Sequence, residues 1–277
     1  MLRTLFFIVI SFAVTIAQDT LDLEEVVIKS SLLLTQENAL PVTISTWSNN
    51  GNSRSIEQKL NNVPGVWLTN NSNAAQDYRI SIRGFGSRAS FGVRGIRILL
   101  DGIPQTTPDG QSQIDHLPLH LIQQSEVIRS PAGSRQGNAA GGVLSFFTKN
   151  SNQNQANIRF QHASFGLYYT DATIHHRLSE NSKIMGSLNY HKLDGYRKHA
   201  GFENKSAFVK FTHQKNEALH KLSILHFDSP YAYDSGGLTL EEVNSNRTQG
   251  RERNIVYDAG ESVRQSQIAW HYKTPYQ

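Results

Sequence analysis

Three groups of residues in this sequence have side chains able to carry chemistry, and their spacing argues against most of it. There are eleven histidines and no cysteines. The missing thiols exclude thiolate metal sites, thiol nucleophiles and redox chemistry by cysteine. The tightest histidine pair is His175-His176, but neighbours on a strand point to opposite faces and cannot easily share one ion. Asp101, Asp109 and Asp115 could be taken for a carboxylate set, yet each sits in a turn-rich stretch where capping and turn roles are usual. No P-loop, G-x-S-x-G, H-E-x-x-H or dinucleotide fingerprint occurs, and Gly84-Phe85-Gly86 only echoes the last. The expectation is therefore of no enzyme, no cofactor and no dedicated metal. The third group, Glu24, Glu25, Val26, Val27 and Ile28 after Leu23, is acidic and then β-branched. It reads as a lone strand whose free N–H and C=O groups a partner's sheet can complete, or as an ordinary first strand of the next domain.

These residues must be positioned by elements legible around them. Arg3 precedes an apolar run from Leu5 to Ile16, and Thr15 and Ala17 fit a cleavage site before Gln18, which is the pattern of an export signal. The run is shorter than the roughly 20 residues of a spanning helix. A hydrophobic content of 38% and a mean hydropathy of -0.44 suit a soluble domain. They also suit a transmembrane barrel, whose strands alternate and average polar. A net charge of +4, spread without a basic stripe, gives no reason to expect nucleic acid.

From Pro41 to Lys149, short apolar segments are cut by glycine and proline, as in an α+β domain. Ile56, Leu60 and Val63 fall at helical spacing after Ser55, with Glu57 in the first turn and Pro64-Gly65 as the stop. Strands are expected at Arg79–Arg83, ended by Gly84 and Gly86, and at Ile96–Leu100, closed by Asp101-Gly102 with Pro104 discouraging pairing beyond. A short helical turn follows at Leu117–Ile122. Strands then run at Glu126–Arg129 and, after Gly137, Gly141 and Gly142, at Val143–Phe147, buried on at least one side.

The order of these segments resembles the plug domain of TonB-dependent outer-membrane receptors. Glu24 to Ile28 resembles the TonB box, and Leu60 to Val66 the early plug helix and its exit. Ile82-Arg83-Gly84 is similar to the isoleucine-arginine-glycine motif, and Leu100-Asp101-Gly102-Ile103-Pro104 to the Asp-Gly motif. Glu126 to Arg129 through Gly141-Gly142-Val143 is similar to the closing motif. Ser130 and Gln136 depart from it, where the family commonly has glycine and tyrosine. The resemblance implies structural roles or plug–barrel contacts for Arg83, Gly84, Asp101, Gly102, Pro104, Arg129, Gly137, Gly141 and Gly142, with Arg83 and Arg129 nearer the barrel than the ligand. It also implies that the loops 85–94 and 105–113 face outward, offering Arg88, Phe91, Arg94, Asp109 and Gln111 to a ligand. Arg88 and Arg94 would pair with an anionic chelate or with the barrel wall.

After Asn150 the segments lengthen and alternate. Ile158, Phe160 and His162 share one face, and further strands are expected at Leu167–Arg177, Lys183–Leu193, Ser206–His213 and His220–Phe227. In the second of these, Ile184, Gly186, Leu188 and Tyr190 should face lipid, and Lys183, Ser187, Asn189 and His191 the lumen. Asp228 to Ser262 reads as a long outer loop, with a last strand near Arg264. Family barrels have about 22 strands and roughly six are visible, so a fragment, a truncated frame or one piece of a longer protein is expected.

The fold class expected is an α+β plug domain followed by the start of an antiparallel transmembrane β-barrel. The divisions are a signal at 1–17, a TonB-box and linker segment at 18–38, the plug at 39–150 and barrel strands at 151–277. The resemblance implies energised uptake of a ferric siderophore or other metal complex, with a TonB-type periplasmic protein and outer-membrane lipid as partners. The alternatives are an exported binding or surface-assembly protein without transport, a non-functional receptor relic and, more weakly, a secreted carbohydrate-active enzyme.

Overall fold

Glycine and proline cut the front of the chain into strands too short to be stable singly, and the fold joins them through one buried strand. The computed structural model describes residues 44–48, 60, 63–69, 73–89, 92–107, 109–129, 137 and 139–274. The export signal, the acidic β-branched segment at 24–28, most of the helix expected after Ser55, Phe91, Ser130 and Gln136 lie outside the described residues. Residues 42–277 form a single compact unit.

The front domain is built on a mixed sheet ordered β1-β8-β9-β5-β6. Its strands are β1 (Ile44–Ser48), β5 (Ile96–Leu100), β6 (Ile103–Pro104), β8 (Ile122–Ile128) and β9 (Gly142–Thr148). The strand Gly142–Thr148 reads GVLSFFT with six of its seven residues buried. Its edges are paired to β8 and, in parallel, to β5; residues of both parities are buried, so both faces are covered and a continuous apolar run is what burial selects. Two small pairs flank this sheet: β2 (Val66–Thr69) with β3 (Arg79–Ile82), and β4 (Val93–Arg94) with β7 (Gln111–Ser112). The expected helical turn is a single 3-10 turn at Leu119–Leu121. Pairing does continue past Asp101-Gly102, contrary to the reading of Pro104, because β6 lies at the sheet edge and pairs Leu99 with Pro104. There a proline needs no inward donor.

The second part is an antiparallel meander of six strands: β10 (Gln155–Ala163), β11 (Leu167–Arg177), β12 (Ser182–Leu193), β13 (Phe202–Lys215), β14 (Ala218–Tyr233) and β15 (Gly260–Lys273). Its two faces are inverted relative to a soluble sheet. Ile158, Leu188 and Ile268 are 82%, 65% and 75% exposed on the outer face, whereas Asp171, Ser187 and Lys210 are buried on the inner one. This apolar-out, polar-in alternation is the pattern of a strand between lipid and lumen. The front domain sits on the inner face, where Met185, Phe208 and Leu225 join a core containing Leu60, Ile80, Ile98 and Phe146. Strands β13 and β14 run past their expected ends, so the outer loop spans 234–259, shorter than Asp228 to Ser262. A bulge on β14 marks its extension, shifting the register opposite Glu203 to Lys205 on one side and between Ser229 and Ala232 on the other.

That loop has its own order. Helix α1 (Leu240–Ser245) opens with a capping box in which Glu242 N–H donates to Thr239 Oγ1 at 3.3 Å and Thr239 N–H to Glu242 Oε2 at 2.6 Å. Helix α2 (Glu252–Val256) follows. The Arg197 guanidinium, from the 194–201 connection, donates to the carbonyls of Gln249 (2.9 Å), Gly236 (2.7 Å) and Ser235 (3.1 Å).

Candidate functional site

Two regions carry the functional side chains: the seam between front domain and strand wall, and the exposed loops of the front domain. The seam begins at the turn after β5. Asp101 and Gly102 have φ of 51° and 89°, the conformation of a tight two-residue hairpin. The turn aims the Asp101 carboxylate at β9 and at the wall together. It accepts from Thr148 N–H (3.0 Å), Thr148 Oγ1 (2.6 Å) and Lys210 Nζ (3.2 Å), and all three residues are buried. Lys210 Nζ also contacts Thr148 Oγ1 and donates to Lys149 O at 3.4 Å. The turn and capping role expected of Asp101 is joined by a second one, since its side chain also holds a buried ion pair to the wall. Glycine follows for two reasons: the positive φ, and the wall, since a Cβ at Gly102 would lie 2.8 Å from His271 Cε1. His271 Nδ1 is itself 3.2 Å from Asp101 O.

Neutral hydrogen bonds extend the seam. His116 Nε2 pairs with Gln105 Oε1 at 2.9 Å, and Gln105 Nε2 donates to Gln267 Oε1 at 3.3 Å. His120 Nε2 pairs with Ser187 Oγ at 2.9 Å. Burial pushes both imidazoles down to about 4, so they are uncharged at neutral pH. Asp115, next to His116 in the chain, moves the other way: burial and then the Asp77 charge push its carboxyl up to about 7. It lines a cavity of about 330 Å³ between the front domain and the wall, with Tyr78, His120, Tyr169, His191 and Glu261. Toward the loop end of the sheet, Asn73 Nδ2 and Gln76 Nε2 donate to the two oxygens of Asp234 at 2.7 and 3.2 Å.

Of the two arginines expected against the wall, Arg129 bonds through Nη1 to Pro64 O inside the front domain. Arg83 is exposed at φ 51°, and its backbone N–H donates to Gly65 O at 2.9 Å. Among the described residues the ion pair between front domain and wall runs from Asp101 to Lys210. Gly84 follows Arg83 in the turn, Pro104 ends β6, and Gly137 has a positive φ. Gly141 is buried against Phe85, and at Gly142 a Cβ would lie 2.4 Å from Ile128 O. That glycine lets β9 enter the sheet.

On the exposed loops, the pairing of β4 with β7 sets Arg94 beside Gln111. Arg94 Nη2 lies 3.2 Å from Gln111 Oε1 and 3.4 Å from Asp109 Oδ2. The Thr107 hydroxyl, and then the Gln111 N–H, hold the Asp109 carboxyl below its usual range. Three of the five expected ligand residues are therefore neighbours: Arg94, Asp109 and Gln111. Arg88 is exposed on the turn after Gly86, and Phe91 lies outside the described residues. An anion approaching Arg94 would compete with Asp109. Lys210, Thr148, His271, Arg197 and Asp234 were not singled out in the sequence; the parity of Lys210 with Phe208 and Thr212 along β13 was the one signal for it.

A family model described as TonB-dependent Receptor Plug Domain matches residues 42–143. The chain is 23% identical over 195 residues to the vitamin B12 transporter BtuB of Vibrio vulnificus, a match covering 67% of this chain and 31% of that protein. It is 34% identical over 112 residues to the ferric enterobactin receptor of Pseudomonas aeruginosa, covering 35% and 14%. The chain thus spans about a third or less of the curated relatives it matches. Among solved structures, the ferric citrate transporter FecA in its unliganded form superposes with a TM-score of 0.68 at 17% identity, covering 85% of this chain and 37% of that one. The siderophore receptor PirA of Acinetobacter baumannii gives 0.61 at 19% identity, covering 83% and 37%. At such identities the likeness concerns the fold: a plug set against antiparallel barrel strands.

Proposed function

The chain belongs with the TonB-dependent receptors, whose plug domain occupies residues 42–143, and on that premise we propose that it is the front part of an outer-membrane receptor for energised solute uptake. The family is one of transporters and receptors, not of enzymes. In this reading residues 1–17 direct export, 18–38 carry the coupling segment, 39–150 form the plug and 151–277 begin the barrel. The observation that supports it most is the plug seated on the polar face of an inside-out sheet through the buried Asp101–Lys210 pair. A lumen-filling domain needs such a seat, and a soluble binding module does not.

The solute is a bulky metal complex, such as a ferric siderophore. The relatives are named as receptors or transporters for ferric enterobactin, vitamin B12 and hemin, which suits this class. The 234–259 loop, the 194–201 connection and the loop carrying Arg94, Asp109 and Gln111 face outward, and the short turns 178–181 and 216–217 face the periplasm. Glu24 to Ile28 would add as a strand to a TonB-type protein. The test is Val27→Pro in the intact receptor, since proline removes a donor from that added strand. Uptake from a panel of radio-iron chelates should be lost while binding to whole cells stays. Unchanged uptake would remove the coupling assignment.

A further inference from the structure

The inner face of the strand wall carries an excess of positive charge that the seam with the plug does not use. Going from Lys210 toward the turns 178–181 and 216–217, inward positions hold Lys183 on β12, Lys221 on β14 and Lys273 on β15. The register sets Lys183 opposite Thr212, Thr212 opposite Lys221, and Lys221 opposite His271, with Lys273 one inward position further along. Adjacent strands lie about 4.8 Å apart, so Lys183 and Lys221 start roughly 10 Å from one another. Their flexible stems allow the ammonium groups to converge on one ligand.

Opposite charge in this region is scarce. Asp101 is ion-paired to Lys210 and already accepts both the N–H and the O–H of Thr148. Lys183 Nζ donates to the side-chain amide oxygen of Asn152 at 2.9 Å, which satisfies a hydrogen bond without offsetting the charge. Glu180 and Glu217 are exposed in the turns, and neither forms an ion pair among the described residues. Lys183, Lys221 and Lys273 likewise have no carboxylate at ion-pairing distance among the described residues. Clustered cations repel one another, and a ligand carrying several negative oxygens removes that repulsion by bridging them.

We propose that Lys183, Lys221 and Lys273 form a binding strip for multiply charged oxyanions, carboxylate- or phosphate-bearing, on the lumen wall. The proposal deepens the transport reading and rests on it for its role: the strip lies nearer the periplasm than the Asp101–Lys210 pair, so an anionic solute meets it after passing the plug. It makes anionic complexes the favoured cargo. Lys210, held by Asp101, stays outside the strip while the plug is seated.

The test uses the intact receptor in outer-membrane vesicles, with pyridoxal 5′-phosphate as the anionic probe. A lysine amine attacks its aldehyde carbon, water leaves, and added borohydride delivers hydride to the imine to fix the label for peptide mass spectrometry. Labelling at Lys183, Lys221 and Lys273 should exceed that by pyridoxal, which lacks the phosphate, several-fold. Citrate or inorganic phosphate should suppress it, and the stronger competitor tells which oxyanion the strip prefers. Lys221→Gln should lower labelling of Lys183 and Lys273 several-fold, and Lys221→Arg should preserve it. Equal labelling by the two reagents, or label confined to the exposed Lys198 and Lys215, would overturn the proposal. Labelling needs no energised uptake. Its failure therefore leaves the transport reading standing, and unchanged uptake in Val27→Pro would fail that reading without altering the label.

Discussion

Asp101 and Lys210 stand 109 positions apart in the chain and meet at 3.2 Å, in the one ion pair among the described residues that joins the plug to the strand wall. Removing one member of a buried pair leaves a charge without compensation and costs about 3–5 kcal/mol, whereas an apolar pair of similar volume is often neutral. Asp101→Ala should therefore lower the urea midpoint for release of the plug, read by protease access in the intact receptor. Adding Lys210→Met to that variant should restore much of the loss. A double variant as weak as the single one would show that the pair is not what holds this contact.

The histidines and the aspartate at the seam oppose one another with pH. His116 and His120 have folded values near 4, below the usual 6.5, so the unfolded state takes up protons first. Their contribution is full above about pH 6.5 and is lost as pH falls toward 4. Asp115 has a folded value near 7, above the usual 3.8, so its contribution is full below about pH 4 and is lost as pH rises through 7. Between pH 4 and 6.5 the aspartate cancels part of the histidine effect. Asp115→Asn should make plug retention fall more steeply on acidification, and His120→Gln should flatten the profile. Urea midpoints between pH 7 and pH 4.5 read both, and parallel profiles for all three proteins would contradict the assignment.

At Gly102 the positive φ and the contact with His271 can be separated. Gly102→Ala should destabilise the seam through both, the left-handed backbone alone costing roughly 1–2 kcal/mol. Pairing it with His271→Ala should relieve the steric part and leave the backbone part. Thermal release of the plug compared across the four members of this cycle checks the division, and strict additivity would mean the ring and the turn do not touch.

Arg197 should control the order of the outer loop. Its three carbonyl bonds tie the start of the 234–259 stretch, at Ser235 and Gly236, to its interior at Gln249, and hydrogen bonds to a charged donor contribute about 1.5–3 kcal/mol each. Arg197→Ala should speed amide exchange through 236–250 while the strands β11 to β13 keep their protection. Uniform exchange in wild type and variant would exclude this role.

The sequence was most legible where one physical rule acted alone. Leu167–Arg177 matches β11 to the residue, because strict alternation continues until Leu178 and the turn. Ile96–Leu100 matches β5, bounded by glycine before it and Asp-Gly after. The faces assigned to β12 also agree, with Leu188 exposed and Ser187 buried. Beyond Phe227 the pattern breaks at a bulge on β14, which shifts its parity by one residue against both neighbours, so the end of β14 was not readable. Lys210 was missed for another reason: a lysine at an alternating position reads alike whether it faces water or a carboxylate 109 residues away. For Arg129 the motif fixed the position, and the bond through Nη1 to Pro64 O, 65 residues away in the chain, was not readable from it.

The place of β1 at the rim of the plug sheet has a mechanical consequence. Among the described residues it is bonded to β8 alone, beginning with Ile44 opposite Ile128. Tension on the chain ahead of Ile44 would load that first rung before any other, and the strand would peel one rung at a time. Strand β9, bonded on both sides and wrapped in apolar residues, would feel the load last. A steady pull would thus strip the rim of the plug while its centre stayed folded, opening a gap beside β8 at a force well below that needed to unravel the domain.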